Sequence, residues 1–93
     1  MRIIGNIDHP VFKITVFKMD NRLSVKIEKN MFEQTYRFRE GQGVETVQDV
    51  EKFLDHFFLQ EANDIFAQMD HARLKRLAEI KASGQEDEFD EII

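Results

Sequence analysis

Three Asp-His dipeptides, Asp8-His9, Asp55-His56 and Asp70-His71, carry the residue types for metal ligation or acid–base chemistry. Their spacing works against both. Neighbours on a strand point to opposite faces, and neighbours on a helix diverge by about 100°, so an adjacent Asp and His do not converge on one atom. His56 and His71 are also fifteen residues apart and fall on different expected helices. Each histidine is therefore read as solvated or locally hydrogen-bonded. Asp49, Glu51 and Asp55 sit at helical spacing, with Glu51 and Asp55 on one face. General acid–base work requires a carboxylate shifted by burial or by a neighbour, and these three lie on the wet side of an amphipathic stretch. Gly41-Gln42-Gly43 is too short to cradle a phosphate. The two serines, Ser24 and Ser83, have no base beside them in the sequence, and there is no Cys. The expectation is a non-enzymatic protein with no catalytic, metal-binding or cofactor-binding residue and no cofactor.

The elements that carry these residues are announced by a change of period. Up to Arg39 apolar residues recur at every second position; from Val47 they recur every three or four, and Gly41-Gln42-Gly43 marks the switch. Charge divides at the same place. Residues 1–40 hold eight Lys/Arg and five Asp/Glu, a balance of +3; residues 41–93 hold five and thirteen, a balance of −8, and the two sum to the net −5. The expected class is α+β: a three-stranded antiparallel meander, to which Arg2–Asn6 can add a short N-terminal strand, followed by two helices on one sheet face. One domain spans 1–84, with the sheet in 1–40 and the helices in 46–82. An acidic tail, 85–93, has the composition of a disordered segment.

Register follows from the turns. Asp20-Asn21 tolerates positive φ and suits a two-residue hairpin loop. It sets Val16 against Val25, Ile14 against Ile27 and Lys13 against Glu28. Taking Lys29-Asn30 as the second loop sets Ile27 against Phe32, Val25 against Gln34 and Lys26 against Glu33. In both hairpins apolar meets apolar and opposite charges meet. Pro10 breaks any longer first strand. Thr46 with Asp49 three residues on reads as a helix start. A single helix from 47 to 82 would be about 54 Å long, so the stripe is divided near Gln60–Asn63, with Asn63 or Asp70 capping a new start.

The inner sheet face offers Phe12, Ile14, Val16, Leu23, Val25, Ile27, Phe32, Tyr36 and Phe38, and one helix stripe covers most of it. Leu59 lies off the main stripe, and Leu74, Leu77 and Ile80 point in a further direction. This surplus marks Leu59, Leu74, Leu77 and Ile80 as an expected interface for a protein partner or for a homodimer. In the tail, Phe89, Ile92 and Ile93 stand within the acid run, which reads either as a short docking segment or as a solvated end that aids solubility.

The alternative is a nucleic-acid-binding face. Lys13, Lys26, Arg37 and Arg39 project from the outer side of the sheet with Phe17. The architecture is similar in topology to the sheet-plus-helix DNA readers of the integrase N-terminal and AP2 type. It also resembles a double-stranded-RNA-binding domain lacking its first helix. Either likeness implies readout through a basic surface. No motif of these families is matched, and Asp49 and Glu51 stand where a double-stranded-RNA binder would carry lysines. The register also neutralises Lys13 with Glu28 and Lys26 with Glu33, so phosphate contact rests on Arg37 and Arg39, with Arg22 near them. The N-terminus lacks an apolar signal segment and no run approaches the ~18 residues of a membrane span. A cytoplasmic protein with no membrane contact is expected.

Overall fold

The computed structural model describes residues 1–87. Four antiparallel strands, β1 (Arg2–Ile7), β2 (Lys13–Met19), β3 (Arg22–Lys29) and β4 (Phe32–Arg37), form one sheet in sequence order. Two helices follow, α1 (Val47–Phe53) and α2 (His56–Asp87). The class is thus α+β, with a correction to the strand number. Residues 2–7 form a full edge strand that pairs with β2 from Arg2↔Lys18 to Ile7↔Ile14, with an irregularity between Ile3 and Gly5. β2 begins at Lys13, after the break at Pro10.

The β2–β3 register agrees with the turn argument: Val16↔Val25, Ile14↔Ile27 and Lys13↔Glu28 are all paired. The β3–β4 register differs by two residues. Lys29 pairs with Phe32, Ile27 with Gln34, Lys26 with Thr35 and Glu28 with Glu33, so the two-residue loop is Asn30-Met31. The reason lies in the backbone. Each loop opens on a residue in the left-handed region, Asp20 at φ 59° and Asn30 at φ 56°. Asp and Asn tolerate that conformation; lysine does so poorly. The loop therefore starts on Asn30.

The core lies between one sheet face and the helices. Phe12, Ile14, Val16, Leu23, Val25, Ile27 and Phe38 are buried from the sheet, Val50 and Leu54 from the first helical segment, and Ala62 and Phe66 from α2. Phe12 and Phe66 bring their ring centroids to 5.8 Å, and Phe38, Phe53, Phe58 and Tyr36 form a second aromatic group. Gln34, the polar residue on this face, is satisfied: its Nε2 donates to the Ala62 carbonyl at 2.9 Å, and its Oε1 accepts from the Tyr36 hydroxyl. Burial raises the Tyr36 phenol above its ordinary pKa.

The helical half departs from expectation in where it divides. α1 starts with a reciprocal capping box, Thr46 Oγ1 accepting from the Asp49 N–H and the Asp49 carboxylate accepting from the Thr46 N–H. It ends at Leu54, whose backbone turns to φ −88°, ψ 60°. Asp55 then caps α2, its Oδ1 accepting from the Phe58 N–H at 2.8 Å. The break is at Leu54-Asp55, and Asn63 and Asp70 lie inside an uninterrupted helix. That helix has 32 residues, or about 48 Å at 1.5 Å per residue. It does not have to fit within the sheet, because it runs past it, and the molecule extends to 56 × 28 × 22 Å. α2 includes Gln85–Asp87; the rest of the acidic tail, 88–93, with Phe89, Ile92 and Ile93, lies outside the described residues.

Candidate interaction surface

Asp8-His9, Asp55-His56 and Asp70-His71 resolve into local roles. His9 Nδ1 accepts from the N–H groups of Val11 and Phe12 at 3.1 and 3.2 Å, closing the bend at Pro10, and its ring stacks on Phe12 with centroids 4.9 Å apart. Asp55 is the cap just described. His56 and His71 are exposed. Among the described residues no group of three or more His, Cys, Asp or Glu side chains stands close enough to hold a metal ion. Asp49 is held below its ordinary pKa chiefly by the Glu45 N–H, with the Thr46 hydrogen bonds and Lys52 adding to this against a desolvation effect. That is the signature of a helix cap.

The four residues singled out for an interface separate into two places. Leu59 is half-buried against the core and lines a shallow groove of about 570 Å³ with His9, Val11, Phe12, His56 and Asn63. Leu74, Leu77 and Ile80 stand far along α2, 55%, 45% and 50% exposed. Phe58, Leu59, Ala62, Phe66 and Met69 pack toward the core, while every described side chain from Asp70 to Ser83 is exposed.

On a continuous helix the direction of the distal residues also changes from that expected. At 100° per residue Leu77 falls within about 20° of Phe66 and Ile80 within about 40°, while Leu74 is about 80° away. The stripe that meets the sheet thus continues beyond it through Leu77 and Ile80. The division expected near Gln60–Asn63, capped at Asn63 or Asp70, would have required a break that the helix does not have. Arg73 and Met31 mark the point of departure, with Nη2 3.8 Å from the sulfur. Neither was singled out from the sequence. Met31, 69% exposed, carries a signal only once the loop is placed on Asn30-Met31.

The basic residues of the outer sheet face separate as well. Lys26 Nζ lies 5.5 Å from the Phe17 ring centroid and 3.8 Å from Glu28 Oε1, a partner two residues along its own strand and not Glu33 across the hairpin. Lys13 is exposed at the start of β2. At the opposite end Arg37 and Arg39 line a groove with Arg22, Met1, Met19 and Phe38. Among the described residues no carboxylate lies within 4.0 Å of these three arginines.

No helix among the described residues is long and apolar enough to cross a membrane. No protein-family model, no curated protein and no solved structure matches this chain.

Proposed function

We propose that this is a small non-enzymatic interaction module of the cytoplasm, which presents the distal part of α2 to another protein surface. One observation carries the reading: the sheet-packing stripe of α2 runs on as Leu77 and Ile80, with Leu74 beside it, into a region where every described side chain is exposed. Apolar side chains that continue a buried stripe past its own domain gain free energy when a second surface covers them, by about 25 cal/mol per Å² removed from water. A photo-crosslinking residue at Leu77 is expected to give a defined adduct in cells that Ile80→Asp abolishes. The same probe at Gln68, on the opposite side of the helix, is expected to give none. Equal, diffuse labelling at both positions would reject the reading.

A second reading, nucleic-acid binding, is favoured by the Arg22–Arg37–Arg39 groove. Lys26 contributes little to it, since it is engaged by Glu28 and Phe17, and Lys13 stands at the opposite end of the sheet, outside this groove. Retention on heparin or mixed DNA as salt rises separates the two. Binding that weakens steeply with salt and disappears in Arg37→Glu/Arg39→Glu supports this reading, and no retention at low salt removes it.

A further inference from the structure

We infer that β4 pairs with the β4 of a second copy of this chain, edge to edge and antiparallel, joining the two sheets into one. This surface is separate from the distal part of α2 and does not depend on the role proposed for it.

The backbone sets where a second strand can bind. Strand order leaves β1 and β4 at the edges of the sheet. Phe38, next in register opposite Leu23, donates its N–H to the Leu23 carbonyl at 2.9 Å. By the alternation of an antiparallel ladder, the main-chain groups of Phe32, Gln34 and Tyr36 then turn toward β3, and those of Glu33, Thr35 and Arg37 turn to the open side. The two edges differ. β1 is irregular between Ile3 and Gly5, and Val47 of α1 stands against Gly5. β4 runs from Phe32 to Arg37 with no bulge and no proline. A bulge blunts an edge against pairing, whereas a regular edge offers its unpaired N–H and C=O groups to another strand.

Charge identifies that strand. The side chains of Glu33, Thr35 and Arg37 are all exposed. Glu33 lies across from Glu28, and Arg37 across from Ser24. Among the described residues neither Glu33 nor Arg37 forms an ion pair. Opposite charges across a strand pair are stabilising and like charges are not. A two-fold axis at Thr35 supplies what the single chain lacks. Thr35 faces its own counterpart, Glu33 of each copy faces Arg37 of the other, and the open main-chain groups of all three residues meet partners in the same register. A shift of two residues either way sets Glu33 or Arg37 against Thr35. A parallel pair in register sets each charge against its own kind.

The axis runs perpendicular to the sheet, so both α2 helices stand on one face of the joined sheet, antiparallel to each other. Ile65 lies within about 20° of Phe58 around the helix, and the Phe58 ring meets Tyr36 of β4 edge to face. Ile65, 40% exposed, is thus an apolar side chain on the flank toward the second copy. The contact is isologous and closed, and the edges left at its ends are the two irregular β1 strands. A single strand edge is smaller than a standard interface of about 1,600 Å², so the dimer is expected to be a micromolar one.

Sedimentation velocity of the full chain from 1 to 200 µM is expected to show the mass doubling with concentration. Glu33→Arg and Arg37→Glu should each weaken the dimer at least about tenfold, because each sets like charges opposite one another across the axis. Glu33→Arg also places an opposite charge across from Glu28, so its loss of the dimer is not a loss of the fold. The swapped variant Glu33→Arg/Arg37→Glu should restore the dimer, and an equimolar mixture of the two single variants should form a heterodimer. Thr35→Pro removes an N–H that the β3–β4 ladder does not use and should be monomeric with an unchanged far-UV circular dichroism spectrum. A monomer throughout the concentration range would overturn the inference. So would a dimer that survives Thr35→Pro and both single charge reversals; if that dimer were lost in Leu77→Asp/Ile80→Asp, the distal part of α2 would be what holds it.

Discussion

Arg73 reaches Met31 at 3.8 Å, guanidinium to thioether, and every side chain of α2 from there to Ser83 is exposed. The contact ties the helix to the β3–β4 turn where the two part. On the sheet side of it, α2 is fastened by Gln34 to the Ala62 carbonyl, by Lys29 Nζ to Asn63 Oδ1 at 2.6 Å and by the Phe12–Phe66 ring pair. On the far side the same helical stripe continues with no part of the described chain over it. One helix thus closes the core with its first half and stands exposed from Asp70 to Ser83.

That division predicts opposite responses to truncation of two residues about 20° apart on the helix. Phe66 is almost fully buried, and Phe66→Ala should cost about 3–5 kcal/mol through lost burial and the cavity left behind. Leu77→Ala, measured where the chain is monomeric, should change stability by less than about 0.5 kcal/mol, as for other surface sites. Urea unfolding of both variants checks this. A loss at Leu77 comparable to that at Phe66 would mean that the distal segment folds back onto the domain.

The second hairpin offers a sharper test, because its register turns on one residue. Asn30 opens the loop at φ 56°. Asn30→Gly should be neutral or slightly stabilising, since glycine enters that region without a Cβ clash. Asn30→Val should cost about 1–3 kcal/mol, the strain of a β-branched residue held in the left-handed region. If Asn30→Val were neutral by urea midpoint, the loop would not be held where it is described.

The same hairpin shows why the strand faces were legible in the sequence while the full register was not. Apolar alternation has a period of two, so a slip of one residue inverts the faces and is forbidden, but a slip of two leaves every side chain on its face. Starting the loop on Lys29 or on Asn30 differs by such a slip. The apolar pattern does not distinguish them; the φ preference of lysine against asparagine does. The break at Leu54-Asp55 was hidden for a related reason, since Val50, Phe53, Leu54 and Phe57 run across it at helical spacing. The distal segment was legible as surplus apolar surface in Leu74, Leu77 and Ile80. Its direction was not, because a helical stripe has the same period inside and outside a domain and does not record where the sheet stops.

Gly5 lies under α1. A Cβ built there would stand 3.3 Å from Cγ2 of Val47 and 3.5 Å from Cγ1. Val47 is β-branched and stiff about χ1, so it yields little without moving the first turn of α1. Gly5→Ala is expected to cost about 1 kcal/mol, at the low end of overpacking penalties. In a Val47→Ala background the same substitution should be neutral or stabilising, as the strand gains a residue with less freedom to lose. Additive effects in this double-mutant cycle would show that the two sites are not in contact.

The start of α1 should respond to pH through Asp49. Thr46→Ala removes the hydroxyl that accepts from the Asp49 N–H and should cost about 1 kcal/mol, the usual loss of an N-cap. Asp49 accepts from the Glu45 and Thr46 N–H groups at 2.9 and 3.1 Å, and with the Glu45 bond as the largest cause its pKa in the folded chain lies below the ordinary value. The fold therefore favours the ionised carboxylate. Its contribution is fully present above the unfolded pKa of about 3.9 and is lost as pH falls through the lower folded value. Asp49→Asn keeps an acceptor oxygen without the charge, so wild type should be more stable than this variant at pH 6, and the gap should close as pH is lowered below about 4. Other carboxylates titrate alike in both proteins and cancel in the difference. Urea midpoints of the pair at pH 6, 4 and 3 measure it, and a gap that stays constant across that range would show that the Asp49 charge contributes nothing to capping α1.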